Sequence, residues 1–391
     1  MKILSSFTAV CMFFLFIGCK DVKEASFMPM NSDTLKYHIQ QVLDRHDIPA
    51  MAVSIFTSDK VLNQEAVGLR ELGTDNHVLL TDKFHLGSNG KAITSFVAGR
   101  LIEKGIMSWD SKFFDRLPEL KESANTAYYD ITLSELLSHR ARLQPFKSGE
   151  DFETLSAFSG DDVTARRYVF AKWLLEQPPV DLNDSVSFVY SNAGYGLAAL
   201  MMEKVTGKEW MDIVNEELSR PLAVDIATGW PVSTDSTHIL GHYAATEDNQ
   251  RMLIPIPPNY EDYEIDDILI PTGNYSMSIV DYTKFLQQHL AGINGGVNLL
   301  GPETYNYMHY HNLDAGATPS DFSYSMGWGA YMYKDDITVS FHNGSGGTFY
   351  CKTELYKEPD LGIVIITNSA DSNAKEGIAG IKKYILEYYN M

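Results

Sequence analysis

Residues 84–104 read FHLGSNGKAITSFVAGRLIEK, and this stretch is the strongest signal in the chain for both fold and chemistry. After Ser88 the apolar residues recur at helical spacing until Gly105, a typical stop signal, so we predict a helix over residues 88–104. Ser88 and Lys91 lie three positions apart, which places both side chains on one face of a helix. The stretch therefore predicts a serine beside a lysine where a helix begins.

This pair of side chains suits nucleophilic catalysis. A serine hydroxyl attacks carbonyl carbon poorly until a base takes its proton, and a lysine is such a base when burial lowers its pKa. Free N–H groups at the start of the helix, including that of Ser88, can stabilise an oxyanion. The spacing alone is a weak signal, because Ser372 and Lys375 also match it. Ser372, however, has almost no chain after it to supply partner residues.

A second candidate motif is Tyr190-Ser191-Asn192. The phenol of Tyr190 can move a proton beside a lysine, and the amide of Asn192 both donates and accepts hydrogen bonds. The pattern Tyr-x-Asn is common, since residues 310–312 and 388–390 match it too. Tyr190-Ser191-Asn192 therefore indicates a catalytic site only in combination with the other motifs.

The third candidate motif, His342-Asn343-Gly344, lies at the end of a predicted strand. Glycines at this place allow backbone to approach a substrate closely, and the N–H of Ser345 is a candidate second oxyanion donor. Each motif alone is expected by chance. All three in this order, with suitable flanking residues, are much harder to obtain by accident.

The rest of the pattern predicts an α/β fold. Two strand-like runs come early and four come late. The economical arrangement is one antiparallel sheet built from both chain ends and flanked by helices near residues 32–45 and 374–388. We assign residues 32–105 and 322–391 to the α/β part and residues 106–321 to a mainly helical insert. The predicted strands are residues 50–57, 61–67, 327–333, 337–342, 348–355 and 361–368.

The three motifs together resemble those of the serine penicillin-recognising family, through Ser88-x-x-Lys91, Tyr190-x-Asn192 and His342-x-Gly344. That family includes class C β-lactamases, D-Ala-D-Ala carboxypeptidases, D-amino-acid peptidases and related esterases. Further similarity lies in residues 101–110, 131–139, 271–276 and 366–368. The resemblance implies a β-lactamase/transpeptidase-like fold, in agreement with the strand distribution.

The resemblance also implies roles for the motif residues. Ser88 is acylated, and Lys91 accepts or relays its proton. Tyr190 protonates the leaving group and then helps to activate the water that hydrolyses the acyl-enzyme. Asn192 orients Lys91 and binds the acyl side chain, while His342 assists the proton relay or meets the anionic end of the substrate.

Two departures from the family pattern bear on the substrate. Typical β-lactamases carry Lys-Thr-Gly where this chain has His342-Asn343-Gly344, whose last two residues the resemblance assigns to substrate binding. Histidine is mostly neutral at pH 7, whereas lysine is a cation, so a peptidase or an esterase is favoured over a dedicated β-lactamase. Arg140 and Arg142 replace a small polar turn, and they either face an acidic substrate or lie on the surface.

The first residues have the plan of an export signal. Lys2 supplies a basic start, the apolar residues 7–17 follow, and a small residue before Cys19 resembles the cleavage box of bacterial lipoproteins. This implies removal of residues 1–18, lipidation of Cys19 and a polar tether over residues 19–31. The residue after Cys19 is not the aspartate of inner-membrane lipoproteins, so we expect a lipoprotein anchored in the outer membrane. An ordinary signal peptide is the alternative.

Composition limits the remaining possibilities. The chain has 391 residues, 45% of them hydrophobic, which is enough for a large core. A net charge of −20 repels phosphate backbones, so we expect no nucleic-acid partner. After the leader Cys351 is the one remaining thiol, and we interpret it as a small buried hydrophobe. His309 and His311 would share one side of an extended chain without carboxylate or cysteine ligands, so we predict no metal and no cofactor.

The sequence thus favours an acyl-enzyme hydrolase that acts on a small-molecule or peptide substrate, either a D-amino-acid peptide or an ester. A β-lactamase is the alternative within the same class. A non-catalytic binding or sensor protein that keeps the fold is the alternative from another class, which the joint presence of Ser88, Lys91 and Tyr190 disfavours. Substrate identity and oligomeric state stay open.

Overall fold

The computed structural model describes residues 27–147, 150–182, 188–231, 239–247, 250–257, 265–314, 318, 321–334 and 336–391. The strands in these residues, numbered along the chain, are β1 (Ala50–Phe56), β2 (Val61–Gly68), β3 (Lys83–His85), β4 (Ala227–Thr228), β5 (His242–Glu247), β6 (Gln250–Pro255), β7 (Tyr275–Ser278), β8 (Phe322–Tyr324), β9 (Gly329–Tyr333), β10 (Ile337–Ser345), β11 (Tyr350–Tyr356) and β12 (Leu361–Thr367). Seven of them form one sheet in the order β2-β1-β12-β11-β10-β9-β8. Each neighbouring pair in that sheet is antiparallel.

The central feature of the sheet is the pairing of β1 with β12. Met51 lies opposite Thr367 and Phe56 opposite Gly362, so an early and a late strand of the chain pair inside the sheet. This confirms the prediction of an antiparallel sheet built from both chain ends. The α/β fold class with flanking helices is confirmed as well.

Helices cover the sheet and fill the long middle of the chain. Within the described residues they are Ser32–His46, Gly90–Glu103, Phe113–Arg116, Leu133–Leu137, Glu150–Glu153, Val163–Glu176, Asn192–Thr206, Trp210–Val214, Arg220–Leu222, Ile270–Gly273, Ile279–Ile293, Pro302–Tyr310 and Ser372–Tyr388. Short 3-10 turns include Gly87–Asn89 and Asp267–Leu269. None of the helices in the described part of the chain combines the length and apolar character that crossing a bilayer requires.

Both faces of the sheet are buried, which explains why β1 and β12 are almost wholly apolar. On the outer face Val53 and Ile365 pack against the terminal helices through Ile39 and Ile381. On the inner face Ala52, Val364 and Ile366 pack against the Gly90–Glu103 and Ile279–Ile293 helices. Burial of each large aliphatic side chain contributes about 1.5–3 kcal/mol, so the central strands fix the sheet firmly.

The structure differs from the sequence-based prediction at two strands. β10 extends to Ser345, so the His342–Gly344 motif lies within a strand and not at its end. β3 pairs with β7 in a separate three-stranded sheet that also contains β4. We did not predict this small sheet, because strands of two to four residues are too short to show a periodic pattern.

The prediction that His309 lies on an extended chain is wrong. His309 lies near the end of the Pro302–Tyr310 helix and not on an extended chain. Tyr305, Met308 and His309 recur at helical spacing and are buried, and Pro302 occupies the first turn, where its missing N–H costs nothing. The His309 ring bonds to His289 (2.8 Å) and to the Ser340 hydroxyl (2.5 Å) inside the core.

The predicted leader, residues 1–18, and Cys19 lie outside the described residues. Export and lipidation therefore stay predictions. Met30 is buried against the outer-face cluster, and Asn31 caps the first helix by accepting a hydrogen bond from Thr34 N.

Candidate active site

Ser88 lies on a tight turn between a strand and a helix. β3 leads into the Gly87–Asn89 turn, which continues into the Gly90–Glu103 helix. Gly87 has φ +53°, and the space where a side chain would stand is filled by the backbone of Gly344 and Ser345 in β10. The Ser88 side chain is half-buried, so it remains within reach of a substrate. The predicted helix at residues 88–104 thus begins with a 3-10 turn.

Lys91 is a fully buried ionisable side chain of the site. Its Nζ lies 3.4 Å from Ser88 Oγ, 2.7 Å from Asn192 Oδ1 and 2.8 Å from the Thr272 carbonyl oxygen. The side chain is 0% exposed, and burial lowers the Lys91 pKa well below its ordinary 10.5. A neutral amine has two N–H groups and one lone pair. In that neutral form the amide and carbonyl oxygens would accept the two hydrogens, which would leave the lone pair for the hydroxyl of Ser88.

Asn192 has an orientation set by its own partners. It begins the Asn192–Thr206 helix, whose N-cap is Ser191, and its Nδ2 donates to the Phe146 carbonyl at 2.7 Å. Its Oδ1 therefore faces Lys91. This geometry fits the predicted role in orienting the lysine. Contact with an acyl side chain stays a prediction.

Tyr190 stands beside both Ser88 and Lys91. Lys91 Nζ lies 4.9 Å from the centre of the Tyr190 ring. Burial raises the Tyr190 pKa, and a hydrogen bond with the Ser88 side chain partly opposes that shift. The phenol is therefore protonated at neutral pH, as a proton donor must be.

His342 is neutral and has a partner at each ring nitrogen. Its Nδ1 donates to the Asn343 carbonyl at 2.9 Å, so Nε2 accepts from the Tyr324 hydroxyl at 3.0 Å. Burial, with a smaller effect from the charge of Lys91, lowers the His342 pKa to about 3. A histidine of this kind supplies no positive charge for a substrate anion.

The other two residues of the third motif, Asn343 and Gly344, have different surroundings. Alternation along β10 places Asn343 on the face opposite His342, where its Oδ1 accepts from Lys352 Nζ at 3.4 Å. Gly344 packs on the turn before Ser88, and a Cβ there would lie 2.0 Å from the Leu86 carbonyl oxygen. Gly344 thus permits close approach to that turn, whereas we had predicted approach to substrate. Pairing of β10 with β9 ends at Phe341, which leaves the edge at Ser345 uncovered by β9.

Several residues complete the site without having been predicted individually. Thr272 acts through its carbonyl oxygen. His85 accepts from Gly87 N at 3.2 Å and bonds to Asn274 Oδ1 at 3.1 Å, which steadies the turn before Ser88. His139 accepts from Ser191 N at 3.1 Å. The similar segments at residues 131–139 and 271–276 contained three of these four residues, but nothing in them indicated the contacts.

Arg140 and Arg142 make contacts inside the protein that neither predicted alternative, an acidic substrate or a surface position, includes. Both side chains are half-buried. Arg140 donates to the carbonyls of Ser138 (3.0 Å) and Tyr324 (2.8 Å), and Arg142 donates to that of Val180 at 3.0 Å. Both arginines connect loops through backbone oxygens.

Cys351 is buried, as predicted, and burial raises the pKa of its thiol.

Comparison with known proteins supports a relationship over most of the chain. A family model described as Beta-lactamase matches residues 35–383. The unguisins hydrolase ungD' of Aspergillus campestris is 25% identical, and the match covers 88% of this chain and 62% of that protein. Penicillin-binding protein 4 of Amycolatopsis lactamdurans is 26% identical, with 87% of this chain and 86% of that protein covered. The chain thus spans less than two thirds of the Aspergillus hydrolase.

Solved structures of similar fold cover almost the whole chain. An octameric penicillin-binding protein homologue from Pyrococcus abyssi superposes with a TM-score of 0.70 at 18% identity, covering 92% of this chain and 78% of that one. A class C beta lactamase from Rhodobacter sphaeroides gives a TM-score of 0.67 at 17% identity, covering 91% and 100%. At such identities the likeness shows the fold alone.

Proposed function

The chain belongs to the beta-lactamase family, as its three motifs indicated, and from that premise we propose that it is a serine hydrolase working through an acyl-enzyme on Ser88. The arrangement of Lys91 is the observation that supports this most directly. Lys91 Nζ is buried, has two fixed oxygen acceptors and lies 3.4 Å from Ser88 Oγ, so in its neutral form its lone pair is available to that hydroxyl. That is the geometry of a general base beside its nucleophile.

Acylation then proceeds in two steps. Ser88 Oγ attacks the carbonyl carbon of the substrate while Lys91 takes the hydroxyl proton, and the N–H groups of Ser88 and Ser345 stabilise the oxyanion. The bond from carbon to the leaving group breaks as Tyr190 gives that group its proton. The proton held by Lys91 replaces the one that Tyr190 has given, so both residues return to their starting states.

Deacylation uses the same groups in reverse. Water attacks the ester carbon, and Lys91 with Tyr190 accepts one of its protons. The ester bond to Ser88 breaks, the carboxylic product leaves, and the proton returns to Ser88 Oγ. No cofactor enters this scheme.

The substrate class that we propose is a D-amino-acid peptide or an ester. The neutral His342 supports this choice, because a typical β-lactamase has a cation at that position. β-Lactam hydrolysis is the second candidate, since a class C beta lactamase shares the fold. A non-catalytic binding role is the third, and it gives no reason for Lys91 to be buried against Ser88.

The test of the nucleophile is the intact mass of the protein after fluorophosphonate and, separately, after penicillin. The wild type and Ser372→Ala should each gain one fluorophosphonate adduct, whereas Ser88→Ala should gain none. Ser372 is the matched control, because it lies in the second Ser-x-x-Lys sequence and is exposed. A lasting penicillin adduct would favour a peptidase of penicillin-binding type. Absence of both adducts in the wild type would contradict the catalytic proposal.

We also propose that the protein is exported and anchored through a lipid on Cys19. The sequence pattern of residues 1–19 supports this location. Growth with a labelled fatty acid should label the wild type in the membrane fraction and leave Cys19→Ala unlabelled. Equal labelling of the two proteins would contradict the proposal.

A further inference from the structure

A cavity of about 300 Å³ adjoins the candidate active site. It opens between the Tyr190 segment and the edge of the sheet formed by β8, β9 and β10. Its side-chain walls are mainly aromatic rings, those of Phe188, Tyr190, Phe322, Tyr324, Phe341 and His342. Two of the walls, Tyr190 and His342, are also residues of the candidate site, so the cavity is continuous with the place of reaction.

The walls of this cavity are apolar and partly open to water. Phe322, on β8, is 57% exposed, and its ring centre lies 5.8 Å from that of Phe341. Tyr324 lies 5.9 Å from Phe188 and 6.3 Å from Tyr190 by the same measure. Rings that line a concave site and remain exposed gain free energy when an apolar ligand covers them.

Two polar side chains of the cavity lining, Tyr324 and His342, bond to each other, while the Asn343 side chain, which also lines the cavity, accepts from Lys352 outside it. The Tyr324 hydroxyl donates to His342 Nε2, and His342 Nδ1 donates to the Asn343 carbonyl. Among the described residues that line the cavity, none carries a formal charge at neutral pH. Two cations lie nearby without lining the cavity: Arg140 donates to the Tyr324 carbonyl at 2.8 Å, and the Nζ of the exposed Lys147 lies 5.6 Å from the centre of the Tyr190 ring.

We propose that this cavity is the subsite for the leaving group, and that it takes an uncharged apolar or aromatic group. The inference rests on the proposed function, in which Tyr190 protonates the leaving group. A group that receives its proton from Tyr190 lies against Tyr190, and the adjoining space is the aromatic cavity. A carboxylate in that space would lose its hydration without gaining a charged partner, which is costly.

The test compares two esters of N-acetyl-D-alanine, the 2-phenylethyl ester and the ethyl ester, whose alcohols differ little in acidity. The wild type should prefer the phenylethyl ester in kcat/KM. Phe322→Ala should reduce kcat/KM for the phenylethyl ester by about tenfold and for the ethyl ester by less than about twofold. Phe322→Leu should retain most of the preference, because it keeps the wall apolar. Tyr37→Ala removes another exposed ring, which lies on the Ser32–His46 helix and outside the cavity lining. It should change kcat/KM for neither ester.

A third ester, with a carboxylate on the phenyl ring of the leaving group, tests the charge. It should react more slowly than the phenylethyl ester in the wild type. A faster reaction that Lys147→Gln abolishes would overturn the proposal of an uncharged group. An unchanged preference between the two neutral esters in Phe322→Ala would overturn the subsite.

Fluorophosphonate labelling separates failure of this inference from failure of the proposed function. The reagent loses fluoride, which does not need the aromatic cavity, so its rate of reaction with Ser88 should be equal in wild type and Phe322→Ala. Normal labelling with no selectivity between esters overturns the subsite alone. Absence of labelling in the wild type overturns the proposed function and the subsite together.

Discussion

Lys91 Nζ lies 2.7 Å from Asn192 Oδ1, and the amide is held in that orientation by the bond from its Nδ2 to the Phe146 carbonyl. The lysine therefore has a neutral oxygen where many buried cations have a carboxylate. Since no negative charge offsets the loss of hydration, burial lowers the Lys91 pKa well below 10.5. The identity of residue 192 should thus control the protonation state of the base.

Asn192→Asp should move the acid limb of the kcat/KM profile to higher pH. A carboxylate beside Lys91 favours the ammonium form and so raises the lysine pKa, and the ammonium cannot accept the Ser88 proton. Activity rises with pH through the Lys91 pKa, so a higher pKa lowers the rate near neutrality. Asn192→Ala, which removes the acceptor without adding charge, is the control and should not move the limb upwards. Identical profiles for the wild type and Asn192→Asp would exclude Lys91 as the base.

Tyr190→Phe should affect poor leaving groups far more than good ones. An alkyl alcohol or an amine needs a proton as it departs, so kcat/KM for an alkyl ester should fall about 10²–10⁴-fold. p-Nitrophenolate departs without a proton, and its ester should lose much less. Tyr128→Phe is the matched control, because Tyr128 is buried and its hydroxyl has no hydrogen-bond partner among the described residues. Equal losses for both esters would show that Tyr190 does not protonate the leaving group.

Gly344→Ala should destabilise the protein and reduce its activity. The new Cβ would lie 2.0 Å from the Leu86 carbonyl oxygen, so β10 must move away from the turn that precedes Ser88. Overpacking of this kind costs about 1–3 kcal/mol in the free energy of unfolding, measurable by urea titration. Gly380→Ala is the control, because that helical position has open space around it and should be neutral or stabilising. Two variants of equal stability would argue against close packing of β10 on the turn.

Acid should destabilise the fold through its buried histidines. Burial lowers the pKa to about 4 for His85 and His242 and to about 3 for His289 and His342. Above pH 6.5 these residues are neutral in both the folded and the unfolded chain. Between pH 6.5 and the folded pKa values the unfolded chain binds more protons, so the free energy of unfolding falls as pH falls.

The size of this acid effect can be measured at one residue. Each such histidine contributes about 1.4 kcal/mol per pH unit within its window. His289→Asn should therefore show a shallower loss of stability between pH 6 and pH 4.5 than the wild type. His311→Asn, at an exposed position, is the matched control. Equal slopes for these two variants would show that His289 does not take part.

The sequence predicted what depends on side-chain type and spacing. Ser88, Lys91, Tyr190 and Asn192 are brought together as their motifs indicated, and β1 and β12 were found because long buried strands are rich in apolar residues. Contacts made by backbone atoms could not be predicted from the type of residue, because every residue has the same backbone carbonyl. The carbonyl of Thr272, which holds Lys91, is the clearest case.

Other features depend on tertiary neighbours that no local pattern records. Tyr324 bonds to His342 because β8 and β9 fold back along β10, and β8 is only three residues long. The face of Asn343 depended on where β10 ends, since an alternating strand places neighbouring residues on opposite sides. The predicted strand ends at residue 342, three residues before the observed end of β10. The conformation at His309 was predicted wrongly for a similar reason. Two histidines two positions apart do not by themselves distinguish a helix from a strand.

The position of β12 between β1 and β11 has a consequence for synthesis of the chain. About three hundred residues separate the partners β1 and β12, so β1 and β11 lack the strand that joins them until β12 has left the ribosome. Before that moment β1 has only the β2 hairpin, which is too small to be stable alone. We therefore expect that a nascent chain without β12 cannot complete the seven-stranded sheet. For the same reason we expect hydrolysis by Ser88 only in chains that already include β12.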